Sequence, residues 1–224
     1  MTRRFACLLA LLLSPAAPAT ALAGDGWEEE PVAIGSGVSA LHGTLVLPTV
    51  GRKLDTVVFQ SGSGQSDRNG NLPGYENNCL ALLARALGAR GVASLRHDKR
   101  GTGSSIAAVG DLSRLRPETY VGDVVAWVEE LRTHPRVGRI FLAGHSEGAL
   151  IVTLAAQRTR VSGVVLLAGA GYPIGHVIRR QLAPAPAPLR AEADRILTAL
   201  EGGKPYPGVP AALQALFRES IQPY

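Results

Sequence analysis

The residue with the most chemistry to offer is Ser146, at the centre of Gly144-His145-Ser146-Glu147-Gly148, between the apolar run Ile140 to Ala143 and the helix-like stretch Ala149 to Ala156. Strand, Gly-x-Ser-x-Gly and helix in that order describe a turn too tight for bulk two positions either side of the serine. Such a turn presents the hydroxyl as a nucleophile, and the start of the following helix adds a positive dipole end beside it. A hydroxyl near neutral pH still needs a general base. His145 and Glu147 are its neighbours in sequence and are turned away from it, so His145 is expected to be a buried, hydrogen-bonded support of the loop. A second loop, Gln60-Ser61-Gly62-Ser63-Gly64, follows the apolar run Thr56 to Phe59. It can turn backbone N–H groups toward a developing oxyanion, with Ser63 as one donor and Glu147, one residue beyond the nucleophile, as the other. A phosphate loop would need Lys-Ser or Lys-Thr after its last glycine, and none is there.

A third loop, Asp98-Lys99-Arg100-Gly101-Thr102-Gly103-Ser104, carries charges expected to pair with nearby backbone and side chains and so hold the mouth of the site. Its Gly-x-Gly lacks the third glycine of a dinucleotide fingerprint, so no cofactor is expected. The five histidines are dispersed, with no His-x-x-x-His or Cys-x-x-Cys, and no metal is implied.

These loops need strands to carry them. Pro31 to Ile34 and Ser39 to Leu47 read as two antiparallel strands after a polar leader, Gly24 to Pro31. Thr56 to Phe59 reads as a buried parallel strand, and Val92 to Leu95, Phe141 to Ala143 and Val164 to Ala168 read as the strands that follow it. Leu80 to Leu87, Pro117 to Leu131 and the stretch after Ser146 read as the helices between them, with Pro117 as a helix-start signal. Strands alternating with helices imply crossovers and a largely parallel sheet covered on both faces. Ala183 to Pro188 alternates Ala with Pro and reads as a stiff connection into helical pieces at Leu189 to Leu200 and Ala211 to Phe217.

The chain has 224 residues, 46% hydrophobic and 18% charged, enough for one domain with a sizeable core. Its formal charge is +5, two units of which, Arg3 and Arg4, lie in a leader. The remaining basic residues are scattered and not interleaved with aromatics, which excludes a nucleic-acid face. Residues 1–23 read as a secretory signal: Arg3 and Arg4, the apolar Phe5 to Leu13, then Ala21-Leu22-Ala23 before a mature start at Gly24. The apolar run is too short to span a bilayer, so the processed protein is expected to be secreted or periplasmic and free of the membrane. Processing leaves Cys79 alone, without a disulfide, and it is expected to pack in a helix.

Together, Leu41-His42-Gly43-Thr44-Leu45-Val46-Leu47-Pro48, Ser61 to Gly64 with Asp67-Arg68-Asn69-Gly70-Asn71, Asp98-Lys99-Arg100-Gly101-x-Gly103 and the Ser146 pentapeptide resemble the α/β-hydrolase superfamily. More narrowly they resemble bacterial secreted esterases near the serine aminopeptidase and dienelactone-hydrolase-like groups. The resemblance spans roughly residues 31 to 220. It implies a mostly parallel sheet with an antiparallel start, helices on both faces, an α/β-hydrolase core over residues 24–171 and a helical lid over 172–224. It also implies two final strands bearing an acid and then a histidine, which residues after Ser146 do not supply. His176 is the only later histidine, Glu147 is the only acid between the two, and His176 is expected on a lid-helix surface. The expectation is therefore a chain that stops before the last two strands, from an enzyme acting on a small-molecule ester through Ser146, Ser63 and Glu147. An aminopeptidase or other amide hydrolase, and a non-catalytic remnant or binding module, stay open beside it; the oligomeric state is not legible.

Overall fold

The computed structural model describes residues 26–111, 115–217 and 222. The expected signal segment lies outside them.

Two strands open the fold, β1 (Trp27–Ile34) and β2 (Leu41–Pro48), paired antiparallel from Trp27 opposite Pro48 to Ile34 opposite Leu41. The expected polar leader is thus partly strand. Glu28, Glu29 and Glu30 can sit in β1 because it is the outer edge of the sheet, where their carboxylates reach solvent or basic partners. The remaining strands are β3 (Leu54–Gln60), β4 (Ala93–His97), β5 (Val137–His145) and β6 (Gly163–Leu167). All four run parallel to one another, and the sheet order is β1-β2-β4-β3-β5-β6.

Helix α1 (Cys79–Gly88) connects β3 to β4, α2 (Pro117–Thr133) connects β4 to β5, and α3 (Glu147–Ala156) connects β5 to β6. From β3 the chain steps one way to β4, then crosses back to β5 on the other side. That reversal opens a crevice at the carboxyl ends of β3 and β5, where sheets of this kind place ligands. The two loops that meet there are the ones starting at Ser61 and at Ser146.

Both faces of the sheet are buried. On one, Leu45, Val58, Leu95 and Leu142 pack under Val124, Trp127 and Val128 of α2 and Ile151 and Val152 of α3. On the other, Val46, Phe59 and Ala143 pack under Leu80 and Ala84 of α1. Fully burying side chains of this size removes roughly 1.5–3 kcal/mol each from the cost of ordering the chain. Cys79 departs from its expected packing. It is the first residue of α1 and is exposed.

Helices α4 (Ile174–Gln181), α5 (Ala187–Glu201) and α6 (Gln214–Phe217) close a small core of their own around Ile178, Ile196, Leu213 and Phe217. The alternating Ala-Pro stretch only partly forms a connection, since Pro186 caps α5 and Pro188 lies in its first turn, where a missing N–H costs nothing. At the far edge of the sheet, β6 leaves Val164, Val165 and Leu166 38%, 47% and 57% exposed. No helix among the described residues is long and apolar enough to cross a membrane.

Candidate active site

Ser146 sits between the last residue of β5 and the first of α3 with φ 53° and ψ −120°. That backbone conformation is strained for a residue with a side chain and persists only where its surroundings impose it. They do. The Ser146 amide donates to Leu167 O at 2.9 Å, and its carbonyl accepts from Ala149 N at 3.0 Å. A Cβ on Gly144 would collide with the Gly148 carbonyl, and one on Gly148 would collide with the Gln60 carbonyl and come within 2.7 Å of Ser61 O. The two glycines of the pentapeptide are therefore required by backbone packed on backbone. Among the described residues no hydrogen bond reaches Ser146 Oγ.

The loop after β3 lies against this turn. A Cβ on Gly62 would stand 3.1 Å from Ser146 Cβ and 3.2 Å from His145 Nδ1. The next residue, Ser63, is exposed, and its amide has no acceptor among the described residues. The Glu147 amide is likewise without an acceptor, as the first N–H of α3 must be. The structure thus brings Ser146 beside the loop of Ser63 and next to the free amide of Glu147, the three residues singled out by sequence.

His145 does not have its expected place. It is exposed and its ring has no hydrogen-bond partner among the described residues, because it stands opposite Leu167 at the end of the outer strand pair, where no described element covers it. Glu147 is exposed too. His176 lies on the surface of α4, as expected, with its ring 4.9 Å from that of Tyr172. No histidine or carboxylate among the described residues is hydrogen-bonded to the Ser146 hydroxyl.

The charged loop after β4 pairs its charges as its composition suggests. Asp98, 1% exposed, accepts from Arg68 N at 2.8 Å, Arg68 Nε at 2.9 Å and Ser104 N at 2.8 Å, and forms an ion pair with Arg68 Nη2 at 2.5 Å. A Cβ on Gly103 would touch that carboxylate at 2.5 Å, which explains the glycine. Arg100 grips Asp123 of α2, with Nη2 at 2.7 Å and Nε at 2.9 Å. Lys99 Nζ donates to the carbonyls of Gly62 and Gly64, the latter at 2.8 Å. Burial pulls its pKa down to about 8, against the attraction of Glu147.

Sequence reasoning missed two parts of this arrangement. Asp67 folds its own loop, with Oδ1 accepting from Asn69 N at 2.8 Å and Asn71 N at 2.9 Å. Its signal was present in Asp-Arg-Asn-Gly-Asn, since Asp followed by Asn and Gly makes such turns. His97 is the other. It lies buried with its ring 5.7 Å from Trp127, and desolvation lowers its pKa to about 4. Nothing in the sequence distinguishes it from an exposed histidine.

Residues 74–200 match the family of serine aminopeptidases, S33. The chain belongs to that family. It shares 26% identity over 158 residues with the esterase EstD of Thermotoga maritima, covering 70% of this chain and 36% of EstD. This S33 member therefore spans about a third of the length of that relative. Among solved structures it is similar to Est1E of Butyrivibrio proteoclasticus, determined with ferulic acid bound, at 23% identity and a TM-score of 0.50, covering 67% of this chain and 56% of that one. It is also similar to the hypothetical protein PA2218 of Pseudomonas aeruginosa, at 20% identity and a TM-score of 0.54 over 92% of this chain and 66% of that one. The six-stranded, mostly parallel sheet of this S33 member is accordingly that of an α/β hydrolase.

Proposed function

We propose that the protein is a serine hydrolase of carboxylic esters with Ser146 as nucleophile. The observation that carries this is the strained backbone of Ser146, held by the close backbone packing at Gly144 and Gly148. Strain of that kind in a turn with an unbonded hydroxyl is poorly explained by stability alone.

In the proposed reaction Ser146 Oγ attacks the acyl carbon and loses its proton to a general base, while the carbonyl electron pair moves onto oxygen. The Ser63 and Glu147 amides donate to that oxyanion. Collapse expels the alcohol with the proton from the base, and water releases the acid by the same steps. Among the described residues no side chain is bonded to Ser146 Oγ, and the exposed side of β6 is the side from which a base and its orienting acid would reach it. Helices α4 to α6 serve as a lid over residues 172–224, and Tyr172 contributes to selectivity. The protein is exported after loss of residues 1–23.

Esters are favoured over amides by the likeness to an enzyme named as an esterase. The family's description as serine aminopeptidases supports the second reading, amide hydrolysis. The test compares an activated acyl ester with the matching anilide. Ester turnover should be faster by roughly 100-fold or more, and Ser146→Ala should remove essentially all of it. Turnover of the anilide at the ester's rate overturns the ester assignment, and full activity of Ser146→Ala overturns the nucleophile.

A further inference from the structure

Lys99 is an ammonium group in a place where charge is costly. It is 5% exposed, and no carboxylate among the described residues lies within ion-pair distance of it. Its partners are the Gly62 and Gly64 carbonyls, 37 and 35 residues away in sequence, and the face of the Tyr120 ring, 5.8 Å from Nζ. Taking an ammonium out of water carries a desolvation penalty, and among the described residues no paired carboxylate offsets it. Stability alone therefore does not account for this lysine.

The two carbonyls bracket Ser63. In a planar trans peptide the C=O of one residue and the N–H of the next point in opposite directions, so the Gly62 carbonyl and the Ser63 amide are two ends of one rigid unit. Fixing the first aims the second. Glycines stand on both sides of Ser63, and Gly64 has φ +82°, so the unit would turn easily if nothing held it. The missing Cβ of Gly62 lets the whole loop lie against Ser146 Cβ.

We propose that Lys99 is a positioning residue, whose ammonium clamps the Gly62 and Gly64 carbonyls and so holds the Ser63 amide toward the oxyanion formed over Ser146. The proposal rests on the reading of Ser146 as nucleophile. It also carries a pH dependence. The titratable groups around Lys99 are Glu147 at the start of α3, the Tyr120 phenol of α2 and His97 of β4. His97 is neutral above its pKa of about 4, which leaves Lys99 as the cation that changes state near pH 8. As pH rises through that value the charge-assisted bonds to the two carbonyls weaken and the clamp loosens.

The experiment measures phosphonylation of Ser146 by a fluorophosphonate in the full chain, from about pH 6 to about pH 10, with melting followed in parallel. In that step the Ser146 Oγ–P bond forms, the P–F bond breaks, fluoride leaves, and the hydroxyl proton passes to solvent. Charge growing on the phosphoryl oxygen uses the same amides. Lys99→Met should slow labelling by roughly 100-fold at neutral pH without lowering the melting temperature, as expected for loss of one oxyanion donor. The parent rate should turn down above pH 8, and Lys99→Arg, charged at every pH, should keep most of the parent rate without the downturn. Equal rates and profiles in parent and Lys99→Met overturn the proposal. So does a loss that Lys99→Arg leaves unrepaired in a protein melting like the parent, or a loss matched by a fall in melting temperature in both variants. Absence of any adduct on Ser146 in the parent would instead overturn the nucleophile itself, and the clamp with it.

Discussion

Single residues in this protein separate into those that hold backbone against backbone and those that prepare chemistry. Gly144 belongs to the first kind, since a side chain there would strike the Gly148 carbonyl of its own turn, which cannot yield. Gly62 belongs to the second, because an added methyl would meet Ser146 Cβ at 3.1 Å, a tight contact that a small shift of the loop relieves. Gly144→Ala is therefore expected to lose folded protein, by roughly 3 kcal/mol or more, whereas Gly62→Ala should melt near the parent and lose labelling of Ser146. Thermal melting and labelling rates on both variants check this. The pentapeptide was legible in the sequence because its spacing encodes that crowding. The exposure of His145 was not, because it depends on which elements cover the end of β5.

His97 gives a second expectation at this scale. Desolvation holds its folded pKa near 4, below the ordinary value of 6.5. Between those values the unfolded chain binds a proton that the folded chain does not, so stability falls as pH drops from 6.5 to 4 and levels off below. One such group accounts for roughly 3 kcal/mol across that window. Denaturant unfolding of the parent and of His97→Gln as a function of pH should show a shallower acid slope in the variant; identical slopes would remove His97 as the cause.

Among the elements, the parallel strands and the helices between them were readable from apolar runs and glycine boundaries, and each falls within a few residues of its expected place. Strand β1 was the exception, because Glu28 to Glu30 read as a polar leader until its place at the sheet edge is known. The ion pairs that tie loops to elements were half legible. The sequence shows charges at Asp98 to Arg100 but not that Arg68 and Asp123 receive them, which is a matter of tertiary proximity. Asp98, buried and bonded to both the Arg68 side chain and two amides, should be the costly member. Asp98→Ala is expected to lose about 3 kcal/mol by leaving Arg68 and Ser104 N unpaired. Arg139, exposed and paired with Asp55, should change melting very little when replaced by Ala. Comparable losses in the two variants would contradict the ranking.

At the scale of the whole molecule the sheet has two unlike edges. One is β1, rich in glutamate; the other is β6, whose Val164, Val165 and Leu166 face solvent without a charge or a proline to discourage pairing. The chain on its own is expected to self-associate through β6, and Val165→Lys should reduce light scattering at high concentration while leaving Ser146 labelling unchanged. Scattering unaffected by that substitution would place the association elsewhere. The same edge borders the nucleophile, since the Ser146 amide is bonded to Leu167 O at the end of β6. Whatever base serves Ser146 is thus proposed to approach from that side, and oxyanion stabilisation alone still leaves a residual rate without it. Ser146 as nucleophile underlies each of these expectations, and treating the full chain with a fluorophosphonate and locating the adduct by peptide mass spectrometry measures it directly. The predicted result is a single phosphonyl group on Ser146, absent from Ser146→Ala; an adduct on Ser61, Ser63 or Ser104 instead, or labelling undiminished in Ser146→Ala, would contradict it.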